Sequence, residues 1–204
     1  MKPFYLTLAL LLAAPVLAQA ATPEAARVNT LDQALIATMK SGSANASFKS
    51  RYDALAPVVR ETFNLQVILQ NSVGFLWSTF PADQQKQLAT LFEQFTVASY
   101  VNGFSGYGGQ KIEVTGPETA LGAKKIVETD IIPPDGSAPT KLNYVMTNGP
   151  NGWQITDVLL NGTISKVAIQ SSDFSALVTT GDASQLISAL KTKVATLSGG
   201  AISD

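Results

Sequence analysis

The sequence contains no cysteine and no histidine. Ser-His and Cys-His nucleophiles, His-ligated zinc and thiolate metal centres therefore have no side chains to build from. A lipoprotein anchor needs a cysteine at the cleavage site and is excluded on the same ground. An excess of one charge is missing too: 14 basic residues face 15 acidic ones, a formal net charge of −1. That balance gives no electrostatic footprint for nucleic acid, and no polybasic run marks a stable contact with an anionic membrane. Any catalysis would rest on carboxylates, Lys, Tyr or hydroxyls, and no metal or cofactor is expected.

Long apolar runs are scarce as well. The one clear run, Phe4 to Leu12, continues through Ala13, Ala14 and Val16 and follows the positive Lys2. Ala18, Gln19 and Ala20 then give the small-x-small pattern of a signal-peptidase site, so residues 1–20 read as a signal peptide cleaved after Ala20. The run is too short to cross a bilayer, which takes ~20 apolar residues. The expectation is export to the periplasm and a soluble mature chain, residues 21–204, of a size for one domain. Without cysteine, that domain must be held by its core alone.

Periodicity divides the mature chain into helices, strands and a helical tail. Val28, Leu31, Leu35 and Met39 predict a helix over Glu24 to Lys40, followed by a Gly/Ser/Asn break from Ser41 to Asn45. Ser47 to Thr62 predicts a second helix with Phe48, Tyr52, Leu55 and Val59 on one stripe, kinked or split at Pro57. Asn64 caps a third, carrying Leu65, Ile68, Leu69, Leu76 and Trp77. Pro81 opens a fourth with Leu88, Leu91, Phe92, Phe95 and Val101, which ends in the glycines 103–109. Those glycines lack the Lys-Ser/Thr of a phosphate loop and run from helix to strand, so they read as a helix stop and turn.

Four segments rich in β-branched and aromatic residues follow: Lys111 to Thr115, Lys124 to Ile132, Lys141 to Thr147 and Trp153 to Leu160. Turn residues separate them, and an antiparallel meander results. Both Ile155 and Val158 are apolar although strict alternation puts them on opposite faces of one strand. Ser165 to Val178 and Asp182 to Leu197 return to helix, the second opened by a capping box between Asp182 and Gln185. The order is that of an α+β fold: N-terminal helices and C-terminal helices around a four-stranded curved sheet, an NTF2-like cone able to enclose a cavity.

Trp77, Pro81 and Gln84, then Phe92, Phe95, Tyr100 and Phe104, lie in Phe80 to Val114, reading FPADQQKQLATLFEQFTVASYVNGFSGYGGQKIEV, or just before it. This pattern resembles the MlaC-type, toluene-tolerance family of periplasmic phospholipid-binding proteins. GWQITDVLLNG, from Gly152 to Gly162, is similar to that family's last strand, and the likeness extends over roughly Phe48 to Lys193. The stretch GTISKVAIQSSDF, Gly162 to Phe174, departs from the general pattern and is similar to HpnM, the hopanoid-associated branch. The resemblance implies a carrier that shuttles a phospholipid or a hopanoid. Its partners would be an inner-membrane lipid transporter of ABC/MCE or RND type and an outer-membrane complex.

The resemblance implies that some apolar residues face lipid tails. On the helices the candidates are Phe63, Leu69, Leu76, Trp77 and Leu91, with Phe92, Phe95, Tyr100 and Phe104. On the strands they are Val127, Ile131, Tyr144, Met146, Val158 and Leu160. A filled core is the alternative for each of them. Two other functions stay open: an adaptor that docks on a transporter without lipid, and an isomerase using Glu128, Asp130 or Asp157 as base with Tyr144 as hydrogen-bond donor.

Overall fold

The computed structural model describes residues 21–202; the signal peptide expected over residues 1–20 falls outside them. Helix α1, Pro23–Ser43, starts where the Thr22 hydroxyl accepts from the Ala25 N–H, with Pro23 at the position that lacks nothing without its own N–H. It buries Val28, Leu31 and Leu35 and runs past the expected stop at Lys40. Gly42 does not break this helix; it lets the last turn meet the chain beyond the fourth helix. A Cβ at Gly42 would lie 1.9 Å from the Ser105 carbonyl oxygen. Gly42→Ala therefore forces backbone apart, and a loss of ~2 kcal/mol in a chemical denaturation series is expected.

Helix α2, Phe48–Thr62, is capped by Ser47 and stays one helix through Pro57. The predicted split does not occur because Pro57 is exposed, so the carbonyl it leaves unpaired faces water. Asn64 Oδ1 accepts from the Val67 N–H and opens α3, Leu65–Val73. That helix stops short of Leu76 and Trp77 because Gly74 turns to φ +74°, and a 3-10 turn covers Gly74–Thr79. Helix α4, Ala82–Gly103, follows, with Pro81 one residue ahead of it.

The sheet forms four antiparallel rows built from seven short strands. The first row is β1, Lys111–Val114, and β2, Thr119–Leu121; the second is β3, Lys124–Val127, and β4, Thr129–Ile132. The expected single strand over 124–132 breaks at Glu128, so β4 pairs with β1 while β3 pairs with β2. Both halves lie against β5, Thr140–Gly149, which pairs on its other side with β6, Gly152–Leu160. The short β7, Ile164–Ser165, closes that edge. This break bends the sheet over the helices.

A bulge settles the phase of β6. Val145 pairs with Asp157 but Met146 pairs with Ile155, leaving Thr156 as the extra residue. The slip returns Ile155 to the face of Val158, opposite Met146 and Tyr144 respectively, and all four are buried. The alternation that failed on paper is one inserted residue.

Helix α5, Lys166–Ser175, crosses the end of the sheet, and α6, Ser184–Ser198, buries Leu186, Leu190 and Val194 in the core beside α4. The expected capping box does not form. Asp182 instead accepts from the Ser184 N–H at 2.9 Å, while Gln84 of α4 accepts from the Ala183 N–H at 2.7 Å. The acceptor comes from a neighbouring helix, which pins α6 to α4.

Candidate functional site

Two cavities meet between α4, α5 and the end of β6. The inner one is walled by Phe63 at the end of α2, Leu65 and Ile68 of α3, and Phe92, Phe95 and Thr96 of α4. Val167 and Gln170 of α5 close its far side. The outer one lies against Ser99 and Phe104 of α4, Ile131 of β4, Leu142 of β5 and Leu160 of β6. Tyr100, Val158 and Lys166 border both, so the two form one groove with a neck.

Aromatic rings dominate this lining. Tyr100 lies 5.6 Å from Phe63 and stacks on Phe104 at 5.9 Å, and Phe92 lies 6.4 Å from Phe95. Wall hydroxyls satisfy themselves locally: Thr96 donates to the Phe92 carbonyl and Ser99 to the Phe95 carbonyl, each at 2.7 Å. Gln170 accepts from Ser72 at 3.2 Å. Apart from Asp157, whose oxygens are bonded to its own surroundings, and the Lys166 ammonium, the surface left to a guest is hydrocarbon. The volumes are about 20 Å³ inside and about 160 Å³ outside. Pockets for drug-sized ligands are ~300–1,000 Å³, so a long tail enters only if the wall gives way.

Of the sequence candidates, the groove gathers Phe63, Phe92, Phe95, Tyr100 and Phe104 from the helices, and Ile131, Val158 and Leu160 from the strands. Leu69, Val127, Tyr144 and Met146 are wholly buried core away from it. Leu91 borders a separate hollow between α4 and α6, beside Val194 and Ile202. Leu76 and Trp77 sit on the 3-10 turn, partly buried, with Trp77 edge-on to Phe80 at 6.3 Å.

Sequence reasoning missed Lys166, Val167 and Gln170. Their signal was present: residues 166, 167 and 170 share one face of a helix, within the stretch that departs from the general family pattern.

It also missed Asp32. This aspartate is 2% exposed on α1, and neither carboxylate oxygen has a hydrogen-bond partner. Burial pushes its pKa up to about 7. Tyr100 is likewise raised, by burial first and then by the nearby Asp32 charge, and Tyr144 by burial, then Tyr100, then Asp32. The Tyr144 hydroxyl is itself unpartnered. A polar residue amid Val28, Leu31 and Leu35 reads as a helix's wet face in sequence, and only the packing reveals otherwise.

The three strand acids have other surroundings. Asp157 Oδ1 accepts from the Val158 and Val167 N–H groups, at 2.7 and 3.1 Å, fixing the start of α5. Asp130 lies on β4 opposite Glu113, and Glu128 marks the bend. The acid coupled to Tyr144 is Asp32, and neither residue borders the groove. Among the described residues no cluster of three His, Cys, Asp or Glu side chains could hold a metal ion, and no helix is long and apolar enough to cross a membrane.

An α+β cone with an apolar groove under its long helix defines a small-molecule-binding module. The family model for the MlaC protein matches residues 29–192, and the chain belongs to that family. No curated protein matches the chain. Among solved structures, it is similar to the phospholipid-binding protein from Ralstonia solanacearum, determined in complex with a phospholipid. The two share 19% identity over 86% of this chain and 99% of the other, with a TM-score of 0.73. The fold is common to both.

Proposed function

We propose that the protein is a periplasmic lipid carrier that holds the tail of a phospholipid or a hopanoid in the groove of Tyr100, Val158 and their neighbours. It would shuttle that lipid between an inner-membrane transporter, of ABC/MCE or RND type, and an outer-membrane complex. The observation that carries the reading is the aromatic and aliphatic lining, whose Thr96 and Ser99 hydroxyls are bonded to backbone carbonyls of their own helix. Its support is the family and a fold shared with a protein that was determined with phospholipid bound.

The physics of the task suits such a site. Each CH₂ withdrawn from water gains ~0.8 kcal/mol, so a tail of ~16 carbons prefers the groove by ~12 kcal/mol. That gain is set against the cost of swinging a few aromatic rings and loosening α5 from α3 and β6. The export signal and the periplasmic location belong to the same proposal. An isomerase is the weaker reading, because the one acid coupled to Tyr144 is sealed in the core.

Mass spectrometry of organic extracts from natively purified protein tests the reading. A stoichiometric phospholipid or hopanoid is expected. Protein that is repeatedly empty, and stays empty after incubation with vesicles of total membrane lipid, would favour the adaptor.

A further inference from the structure

Lys166 stands in the neck of the groove, where it borders both the inner and the outer cavity. Its ammonium lies over the Tyr100 ring, 5.2 Å from the centroid. None of the five ion pairs among the described residues includes it. Burial alone pulls its pKa below the usual lysine range, with no carboxylate acting to raise it. It is also the first residue of α5, where the helix dipole opposes a positive charge.

Within the fold only the Tyr100 ring and partial exposure to solvent offset these costs. A withdrawn cation is expensive unless paired, and a ring face compensates only part of the loss. Lys166 is partly exposed, so its apolar stem lines the groove while its ammonium stands at the edge, where a headgroup rather than a tail would meet it.

The surroundings indicate from which side an anion would come. Asp157 borders the inner cavity, but its oxygens are engaged by the Ser165 hydroxyl and the Val158 and Val167 N–H groups. The outer cavity has no carboxylate in its wall. An anionic group arriving there meets one cation in an otherwise apolar setting, where a charge-assisted hydrogen bond is strongest.

We propose that Lys166 anchors the phosphate of a lipid headgroup while the tail lies along the aromatic wall, so that the groove selects phosphate-bearing lipids over neutral ones of the same tail. The inference rests on the carrier reading and sharpens it: a phospholipid satisfies the neck, whereas a hopanoid without an acidic group leaves Lys166 unpaired.

The test compares phosphatidylglycerol with diacylglycerol of identical acyl chains, each titrated into delipidated full-length mature protein and followed by native mass spectrometry. The wild type should prefer phosphatidylglycerol ~10-fold, the worth of one charge-assisted bond. Lys166→Met should abolish the preference by weakening phosphatidylglycerol binding, while the variant keeps the wild-type far-ultraviolet spectrum. Lys166→Arg and the exposed-site control Lys86→Met should keep the preference.

Equal binding of both lipids by the wild type, or a preference that survives in Lys166→Met, overturns the anchor while leaving the carrier intact. Binding of neither lipid overturns both. Excess inorganic phosphate should displace little phosphatidylglycerol. Phosphate that alone binds as tightly as the lipid would make the neck a free-phosphate site and overturn the lipid assignment.

Discussion

Asp32→Asn is expected to leave stability nearly unchanged at pH 4 and to raise it by ~4 kcal/mol at pH 8. The sign follows from where the proton sits. Below about pH 4 the carboxyl is protonated in both folded and unfolded chains, so its ionisation contributes nothing. Between about pH 4 and the folded-state pKa of about 7, the unfolded chain releases the proton and the folded one keeps it. The folded state binds more protons there, so wild-type stability falls as pH rises, and the loss is complete above pH 7. Asparagine removes the titration while keeping the size.

In thermal melts the variant should gain on the order of 10 °C at pH 8. A difference that does not vary between pH 4 and pH 8 would show that Asp32 is not held protonated by its burial.

Filling the groove is the second large effect. Val167→Trp places an indole in the inner cavity from the first turn of α5, and Ser99→Trp does so in the outer cavity from α4. Both residues are only partly buried; the outer cavity of about 160 Å³ takes one ring, while the other enters the inner cavity by pushing its wall as a lipid tail would. The double variant should fold with a far-ultraviolet spectrum like the wild type and retain less than ~10% of the lipid. That decrease corresponds to ~1.4 kcal/mol or more of lost binding. Ile169→Trp, on the exposed side of α5, serves as the control and should keep its lipid. Equal occupancy in all three would remove the groove from consideration.

The helices were legible because their signals are local. Thr22, Ser47 and Asn64 cap them, and stripes such as Val28-Leu31-Leu35 repeat with the helical period. What escaped was set by distant partners. Gly42 looked like a breaker until Ser105 came against it, and the Asp182 box lost its place to Gln84, about a hundred residues earlier. The bulge at Thr156 inserts one residue into an alternation that cannot announce it, and Glu128 divides a strand that reads as continuous.

Within the site, the aromatic stripe of α4 stood out because Phe92, Phe95 and Tyr100 share helical spacing with the family resemblance. Leu69, Tyr144 and Met146 share the same apolar character but lie in filled core, a distinction made by packing and not by composition. Lys166 was illegible for the opposite reason. A lysine at a helix start reads as surface, and only the meeting of two cavities at its side chain gives it a role.

Photo-crosslinking with a phospholipid carrying a diazirine at the end of one acyl chain tests the central claim most directly. Tandem mass spectrometry of the labelled protein should place the adducts on residues of the groove wall, among them Phe92, Phe95, Val158 and Leu160. Adducts confined to exposed apolar residues such as Phe75 and Leu121, with the groove unlabelled, would contradict it.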